Sequence, residues 1–194
     1  MFYRPAQGHG LPHNPFNAIV TPRPIGWIST RGPEGDNLAP YSFFNAAAYR
    51  PPQVTFASTG LKDSVTNIRA TRVFAVNVVA EAMFHAMSAT SAELPPEVDE
   101  FAHAGVAKAD CTTIDCPRVA DAPATLECEL IDIITLRGRD NFLILGEVTG
   151  VHLRDDCLVD GRFDVTRFHP VARLGYRDYS IVRDVVELAR PGET

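Results

Sequence analysis

The feature that most limits the fold is a pair of long strand-like segments past the middle of the chain. Residues 124–136, ATLECELIDIITL, alternate apolar and polar side chains, and residues 142–155, FLILGEVTGVHLRD, carry glycines where bends are expected. The alternation gives the first segment an apolar face and an acidic face: Leu126, Cys128 and Leu130 against Glu127 and Glu129. The polar stretch GRDN at 138–141 reads as a turn. Long strands separated by short turns favour antiparallel β-structure.

Shorter strand patterns precede this pair, at 25–30, 37–46, 53–58 and 73–80. The second of these is interrupted by Pro40, which favours a sheet edge or a bulge. A helix is predicted soon after Lys62 and another over 81–93, and 94–106 reads as a proline-broken loop with one helical turn. Strands outnumber helices, so we predict a mainly β fold: an antiparallel barrel with a few flanking helices rather than a doubly wound sheet.

Length and composition fit one domain over residues 1–194, with irregular tails at 1–13 and 183–194. The formal net charge of −6 and the scattered basic residues speak against a nucleic-acid partner. No apolar run is long enough to span a bilayer, so we expect no membrane association. The N-terminus lacks a signal-peptide pattern, so we expect a cytoplasmic protein.

The four cysteines are expected to be thiols, because no export signal accompanies them. Cys111 and Cys116 are too far apart in sequence for a zinc knuckle, and with His103 nearby a fourth ligand is still missing. We therefore predict no metal site. Cys128 lies in an alternating segment and is expected to be a small core residue.

The stretch STGLKDSVTNIRA at 58–70 places a lysine turn between a strand and a helix. If Asp63 or Ser64 caps the helix, its first amide groups and its dipole favour an anion. Lys62 would add a positive charge, and Ser64 and Asn67 could donate hydrogen bonds. On its own the pattern fits a plain helix cap with a solvated lysine better than it fits a phosphate site.

A second stretch, STRGPEGDNLAPYSFFN at 29–45, could accept a flat ligand. Its small residues and its proline would let a ring approach the backbone at Ser29, Thr30 and the Ala39-Pro40-Tyr41-Ser42 segment. The alternative is a proline-bent edge strand with Phe43 and Phe44 in the core, and Trp27 is expected to be a core residue in either case. The chain has no dinucleotide fingerprint, phosphate loop or nucleophile elbow.

Together these segments resemble a known family. The stretches that carry the resemblance are TPRPIGWIST, NLAPYSFFNAAAYRPPQVTFAS, KDSVTNI, FAVNVV, DEFAHAGV, ECEL, FLILGEVTGVH and ARLGYRDYS. On these stretches the chain resembles the flavin reductase-like FMN-binding split-barrel family, and within it most closely the flavoredoxin-like branch. The resemblance runs from about residue 14 to about residue 180. It implies a six-stranded Greek-key antiparallel split barrel that forms a homodimer, with FMN near the subunit interface.

The resemblance also implies which residues hold the cofactor. Lys62, Asp63 and Ser64 would surround the FMN phosphate, with Asn67 in support, and this chain has Ser64 where the family often has threonine. The ribityl chain and the ring would lie along a second group of residues: Ser29, Thr30, Ala39, Pro40, Tyr41, Ser42 and Ser58.

The implied activity is an NAD(P)H:flavin oxidoreductase that transfers a hydride from nicotinamide to flavin N5. Two alternatives stay open: an FMN electron carrier that serves an oxygenase or another redox partner, and a non-catalytic FMN-binding dimer. His152 is a candidate nicotinamide contact, although a strand-end histidine paired with a neighbour is the simpler interpretation. Arg173 could reach an anionic group or form an ordinary salt bridge. The sequence does not distinguish NADH from NADPH.

Overall fold

The computed structural model describes residues 1–192, and most of its regular structure is antiparallel β-sheet. The strands are β1 Arg23–Pro24, β2 Gly26–Gly32, β3 Gly35–Tyr41, β4 Phe44–Tyr49, β5 Pro52–Thr59, β6 Val73–Val78, β7 Lys108–Asp110, β8 Pro117–Val119, β9 Ala124–Thr135, β10 Asn141–Leu153, β11 Leu158–Val159, β12 Arg162–Phe163, β13 Val171–Arg173 and β14 Tyr179–Ile181. The α-helices are α1 Phe16–Ile19, α2 Asp63–Thr71, α3 Phe84–Ala89 and α4 Glu100–Ala104. The mainly β prediction is confirmed.

The main sheet is a split barrel of seven strands in the order β3-β2-β6-β9-β10-β5-β4. Its two edge strands, β3 and β4, follow each other in sequence and are separated only by Ser42 and Phe43. The sequence pattern treated 37–46 as one interrupted strand, and the structure divides it into two strands on opposite edges of the sheet. This division explains why the sheet has seven strands where six were expected.

The hairpin formed by β9 and β10 is the longest strand pair and links the two halves of the barrel. β9 pairs with β6 and β10 pairs with β5, so both halves are hydrogen-bonded to it. The pairing register shifts between Leu145 and Gly146. A Cβ at Gly146 would lie only 2.5 Å from Cζ of Phe74, so glycine lets that ring pack across the bulge. The bends predicted at the glycines of this segment are therefore present.

The barrel interior is filled by alternating side chains of the main sheet and by the inner face of α2. Its buried residues include Ile28, Phe56, Ile68, Phe74, Cys128 and Ile144. Trp27 is fully buried in a second core, beside Phe101 of α4, and its Nε1 donates to Thr90 Oγ1 over 2.9 Å. Phe43 is 45% exposed, so the alternative that placed it in the core is wrong for this residue.

The helical predictions are partly confirmed. Residues 81–93 contain a 3₁₀ turn at Glu81–Met83 followed by α3, and the expected single turn within 94–106 is α4. Asp99 caps α4 by accepting a hydrogen bond from the backbone N–H of Phe101 over 3.0 Å.

The segments predicted as irregular tails contain little regular structure among the described residues. Residues 1–13 contain only a 3₁₀ turn at Pro5–Gln7, and 183–192 form no helix or strand. The last two residues of the predicted tail, 193–194, lie outside the described residues. None of the helices described within 1–192 has the length and apolar character needed to cross a membrane.

The acidic face of β9 is not uniformly solvent-exposed. Glu129 is exposed as expected, whereas Glu127 is fully buried because the segment 111–116 folds over it. The backbone N–H groups of Thr112 and Thr113 each donate to the Glu127 carboxylate over 2.6 Å. The Thr113 hydroxyl and Nε2 of His152 are also bonded to this carboxylate. Glu127, on one face of β9, therefore anchors the segment 111–116 to the sheet.

All four cysteines are free thiols, as predicted. Cys111 packs against the buried Cys116 at the base of the segment 111–116. Cys128 is fully buried in the barrel core, which confirms its predicted role. Within residues 1–192 no cluster of three or more His, Cys, Asp or Glu side chains is arranged to hold a metal ion.

We predict that Glu127→Gln destabilises the protein by about 1.5–3 kcal/mol, because the amide cannot accept the same set of hydrogen bonds. Burial tends to raise the pKa of Glu127, but the bonds from Thr113, Thr112 and His152 outweigh it and lower the pKa to about 2. A carboxylate whose pKa is lower in the folded than in the unfolded protein stabilises the fold at pH values above its unfolded pKa. This stabilisation is lost as the pH falls toward the folded pKa of about 2. Urea unfolding should therefore show that the free energies of unfolding of the wild type and Glu127→Gln become more similar as the pH falls below about 4.5.

The matched control is Glu129→Gln, which removes an exposed carboxylate from the same strand. Its free energy of unfolding should stay within about 0.5 kcal/mol of the wild type. Equal effects of the two substitutions would contradict the anchoring role of Glu127.

Candidate functional site

A cleft of about 460 Å³ opens where the barrel is split. It is bordered by the end of β3, the end of β5, the start of α2 and the loop that follows α3. The lining residues are Asn17, Asn37, Ala39, Pro40, Tyr41, Ser42, Phe43, Ala57, Thr59, Lys62, Asp63, Ser64, Thr90, Ser91, Ala92, Glu93, Leu94 and Glu100. Seven residues predicted from the two sequence stretches meet here: Ala39, Pro40, Tyr41, Ser42, Lys62, Asp63 and Ser64.

The N-terminus of α2 forms one wall of this cleft. Lys62, rather than Asp63 or Ser64, is the N-cap residue, and its side chain forms no capping hydrogen bond. The first intrahelical bond runs from the N–H of Thr66 to the carbonyl of Lys62 over 3.0 Å. The preceding amide groups thus have no acceptor within the helix, and they concentrate positive potential at the cleft wall.

Lys62 adds a full positive charge at the same point. Its side chain is exposed and forms no ion pair with any residue in 1–192. Asp63 follows at the first helical position, where a carboxylate interacts favourably with the dipole. The helix start therefore combines free amide groups with an unpaired ammonium group.

The hydroxyl of Ser64 is bonded within the protein, although the residue borders the cleft. Its hydroxyl, which is 1% exposed, donates to Oδ1 of Asn37 over 2.8 Å. Nδ2 of Asn37 in turn donates to the Glu100 carboxylate over 2.8 Å. Burial raises the pKa of Glu100, in spite of the bonds it accepts from Leu38 and Asn37. This chain of bonds fixes α2, β3 and α4 against each other beneath the cleft.

Tyr41 carries a polar atom without a partner. Its ring lies in the barrel core 4.8 Å from the ring of Phe56, and its buried hydroxyl forms no hydrogen bond with a described residue. The nearest hydroxyls are engaged elsewhere: Ser58 Oγ donates to the Gly60 carbonyl over 3.0 Å, and Ser64 Oγ to Asn37. Burial raises the pKa of Tyr41, so the phenol stays protonated and remains a potential donor.

Four predicted ligand-binding residues do not line the cleft. Ser29, Thr30 and Ser58 are almost fully buried. Ser29 Oγ donates to the Pro117 carbonyl over 2.7 Å, and Thr30 Oγ1 accepts a bond from Asn67 Nδ2 over 3.1 Å. Asn67 packs so tightly on β2 that a Cβ at Gly32 would lie 1.9 Å from its Oδ1. These residues support the cleft from behind.

His152 also lies elsewhere. It borders a separate surface groove with Arg118, Val151 and Arg154, and its ring is bonded to Glu127. The simpler interpretation, a strand-end histidine paired with a neighbour, describes this position.

The cleft includes residues that the sequence patterns did not single out. Asn37 and Glu100 form its polar base, and residues 90–94 form the wall opposite α2. No local motif marks them, because tertiary packing of α3 and α4 against β3 brings them into place.

The split barrel and its cleft define the fold class of this protein. Comparison with known proteins shows the family to which it belongs. A family model described as "Flavin reductase like domain" matches residues 19–169, so the chain belongs to that family. A Deinococcus radiodurans protein named "Uncharacterized protein" is 38% identical over 189 residues, covering 90% of this chain and 82% of that protein.

Two solved structures are similar over nearly the whole chain. The Pseudomonas fluorescens 2-nitrobenzoate 2-nitroreductase NbaA has a TM-score of 0.84 and 32% identity, covering 91% of this chain and 89% of that chain. The nitrilotriacetate monooxygenase component B of Bacillus cereus has a TM-score of 0.85 and 27% identity, covering 93% and 100%.

We predict opposite effects of two substitutions at the cleft, measured by urea unfolding without added ligand. Tyr41→Phe should leave stability unchanged or raise it, because burial of an unpaired hydroxyl costs about 1–3 kcal/mol. Ser64→Ala should lower it by about 1 kcal/mol, because Asn37 loses a donor. A larger loss for Tyr41→Phe than for Ser64→Ala would show that the Tyr41 hydroxyl has a partner in solution.

Proposed function

We propose that the cleft binds FMN, with the phosphate at the start of α2. The observation that carries this proposal is the union of free helix amides and the unpaired Lys62 at one wall of a cleft. Helix N-termini of this kind favour phosphate groups, and lysine adds a point charge. Membership in the flavin reductase like domain family supports the choice of a flavin as the ligand.

The remaining residues of the cleft suit the rest of the molecule. Ala39, Pro40 and Ala57 carry no long side chains, so a flat ring could lie against the backbone of β3 and β5. Among the described residues the buried Tyr41 hydroxyl has no hydrogen-bond partner, so a polar atom of the ligand that reached it would satisfy it. Ser29, Thr30, Ser58 and Asn67 would act indirectly, by holding β2, β5 and α2 in place.

We propose that the protein is an oxidoreductase that takes electrons from NAD(P)H. The bound flavin would supply the hydride chemistry, which explains why the cleft needs no catalytic dyad. The chain's own residues would orient the rings and restrict water at the cleft. Component B of a monooxygenase among the similar structures supports an oxygenase partner, and the family resemblance supports a homodimer, which light scattering would measure.

A second candidate is the reduction of a small acceptor at the same flavin. The observation that favours it is the 32% identity to a protein named as a nitroreductase of 2-nitrobenzoate. The two activities differ only in which molecule accepts the electrons, so they share the same cleft.

We predict that Lys62→Ala weakens FMN binding by about 1.5–3 kcal/mol, because one charge-assisted phosphate contact is lost. Fluorescence titration of FMN into the folded protein measures this affinity. Arg50→Ala is the matched control, since it removes an exposed positive charge from the turn at the other end of β5. Unchanged FMN affinity in Lys62→Ala would remove the phosphate from this position.

We further predict that NADH or NADPH bleaches the visible band of the FMN-loaded protein under anaerobic conditions. Bleaching at a catalytic rate, with turnover of added free flavin, would establish a reductase and its nucleotide preference. A bound flavin that neither nucleotide reduces would point to an electron carrier or a simple FMN-binding protein. Failure to bind flavin would refute the proposed function altogether.

A further inference from the structure

Two arginines stand directly opposite each other in the small sheet beside the cleft. Arg23 of β1 is paired with Arg173 of β13 in the antiparallel register. Like charges in this arrangement destabilise a strand pair. Neither guanidinium forms an ion pair with any residue in 1–192. The fold therefore retains an unfavourable charge pair that no acidic side chain of the described chain compensates.

Arg23 is the buried member of the pair, with 7% of its surface exposed. Its guanidinium donates to the carbonyls of Asn17, Val20 and Leu174, and its buried Nε has no hydrogen-bond partner among residues 1–192. The charge lies 5.5 Å from the centroid of the Phe43 ring at the cleft edge. Burial lowers the pKa of Arg23, and the nearby Arg173 lowers it further. Carbonyls and a ring face thus offset only part of the cost of burying this cation.

Arg173 is the accessible member. It lines a pocket of about 110 Å³ that shares Pro40, Ser42 and Ser91 with the cleft. Its Nη1 donates to the Tyr179 hydroxyl over 2.7 Å and its Nη2 to the Tyr176 carbonyl over 2.6 Å. These bonds hold the side chain in one orientation, and its other N–H groups donate to no described residue.

Among the described residues, the only charged side chain that lines this small pocket is the positively charged Arg173. Its lining residues are Ile25, Pro40, Ser42, Met87, Ser88, Ser91, Arg173 and Tyr179, none of which is acidic. The Ser91 hydroxyl donates to the Ser88 carbonyl over 2.6 Å, so the serine hydroxyls left to face a ligand are those of Ser42 and Ser88. A positioned guanidinium with neighbouring hydroxyls is suited to a planar or tetrahedral oxyanion. The buried charge of Arg23 behind it adds to the positive potential. Such a group would relieve the repulsion between the two arginines.

We propose that this pocket binds one oxyanion group, a carboxylate or a phosphate, of the small molecule that exchanges electrons in the cleft. The identity of that molecule as a reactant rests on the proposed function, whereas the anion site itself rests on the two arginines. Pro40, Ser42 and Ser91 belong to both cavities, so a ligand held at Arg173 would reach directly into the cleft. Arg173 would then select for anionic reactants.

Isothermal titration calorimetry with benzoate and with inorganic phosphate tests this site. The titrations use Lys62→Ala protein, in which phosphate binding at the start of α2 is weakened, and Lys62→Ala protein that also carries Arg173→Gln. Arg173→Gln should weaken binding of at least one anion about tenfold or more. The matched control is Arg177→Gln, which removes an exposed arginine from the adjacent turn and should leave the affinity unchanged. Preference for benzoate or for phosphate would identify the group as a carboxylate or a phosphate.

Arg173→Lys keeps the inference testable if Arg173→Gln does not fold. It retains the charge but loses the planar fork, so the affinity should fall severalfold while circular dichroism stays native. Anion affinity of Lys62→Ala protein that is unchanged by adding Arg173→Gln or Arg173→Lys would overturn the inference, and so would a complete lack of anion binding. FMN titration of the wild type tests the proposed function separately from the anion site. FMN binding without anion binding would refute only this inference. Anion binding at Arg173 without FMN binding would refute only the proposed function.

Discussion

The structure depends on one interruption of the chain, at Ser42 and Phe43 between β3 and β4. Pro40 cannot donate a ladder hydrogen bond, and the chain leaves one edge of the sheet soon after it. It then joins the opposite edge, where the carbonyl of Phe43 accepts a bond from the N–H of Ala57 over 2.8 Å. The sheet is curved into a barrel without backbone pairing between β3 and β4. The cleft opens beside this crossing and is lined by β3, by Ser42 and Phe43, and by the end of β5.

The sequence predicted the parts of the molecule that local patterns encode. The β9–β10 hairpin follows from alternation and a short turn, and the lysine turn before α2 follows from residue types at a strand end. Long-range packing was not predictable in the same way. Glu127 is buried by the segment 111–116, which the alternating pattern of β9 gives no means of predicting. Glu100 reaches the cleft because α4 packs on β3. Ser29 and Thr30 were chosen by position, but their side chains bond inward.

Two carboxylates and two arginines of the protein are compensated in different ways. Glu127 and Glu100 both accept bonds from nearby donors; these outweigh the effect of burial on the pKa of Glu127 and offset it only in part for Glu100. Arg23 and Arg173 face each other and are compensated only by neutral groups. The carboxylates connect loops and helices to the sheet, which is a structural role. The arginines lie beside an open cavity, where tolerance of an unfavourable charge is a feature of binding sites.

The topology also sets the order in which the molecule can be completed. Every residue that lines the cleft lies between Asn17 and Glu100, ahead of β9 and β10 in the order of synthesis. Yet the two half-sheets that carry them, β3-β2-β6 and β5-β4, are joined by backbone pairing only through β9 and β10. The cleft therefore cannot have its final shape until Leu153 has been synthesised and the hairpin has closed. A nascent chain holds all the cleft side chains well before it can bind anything with them.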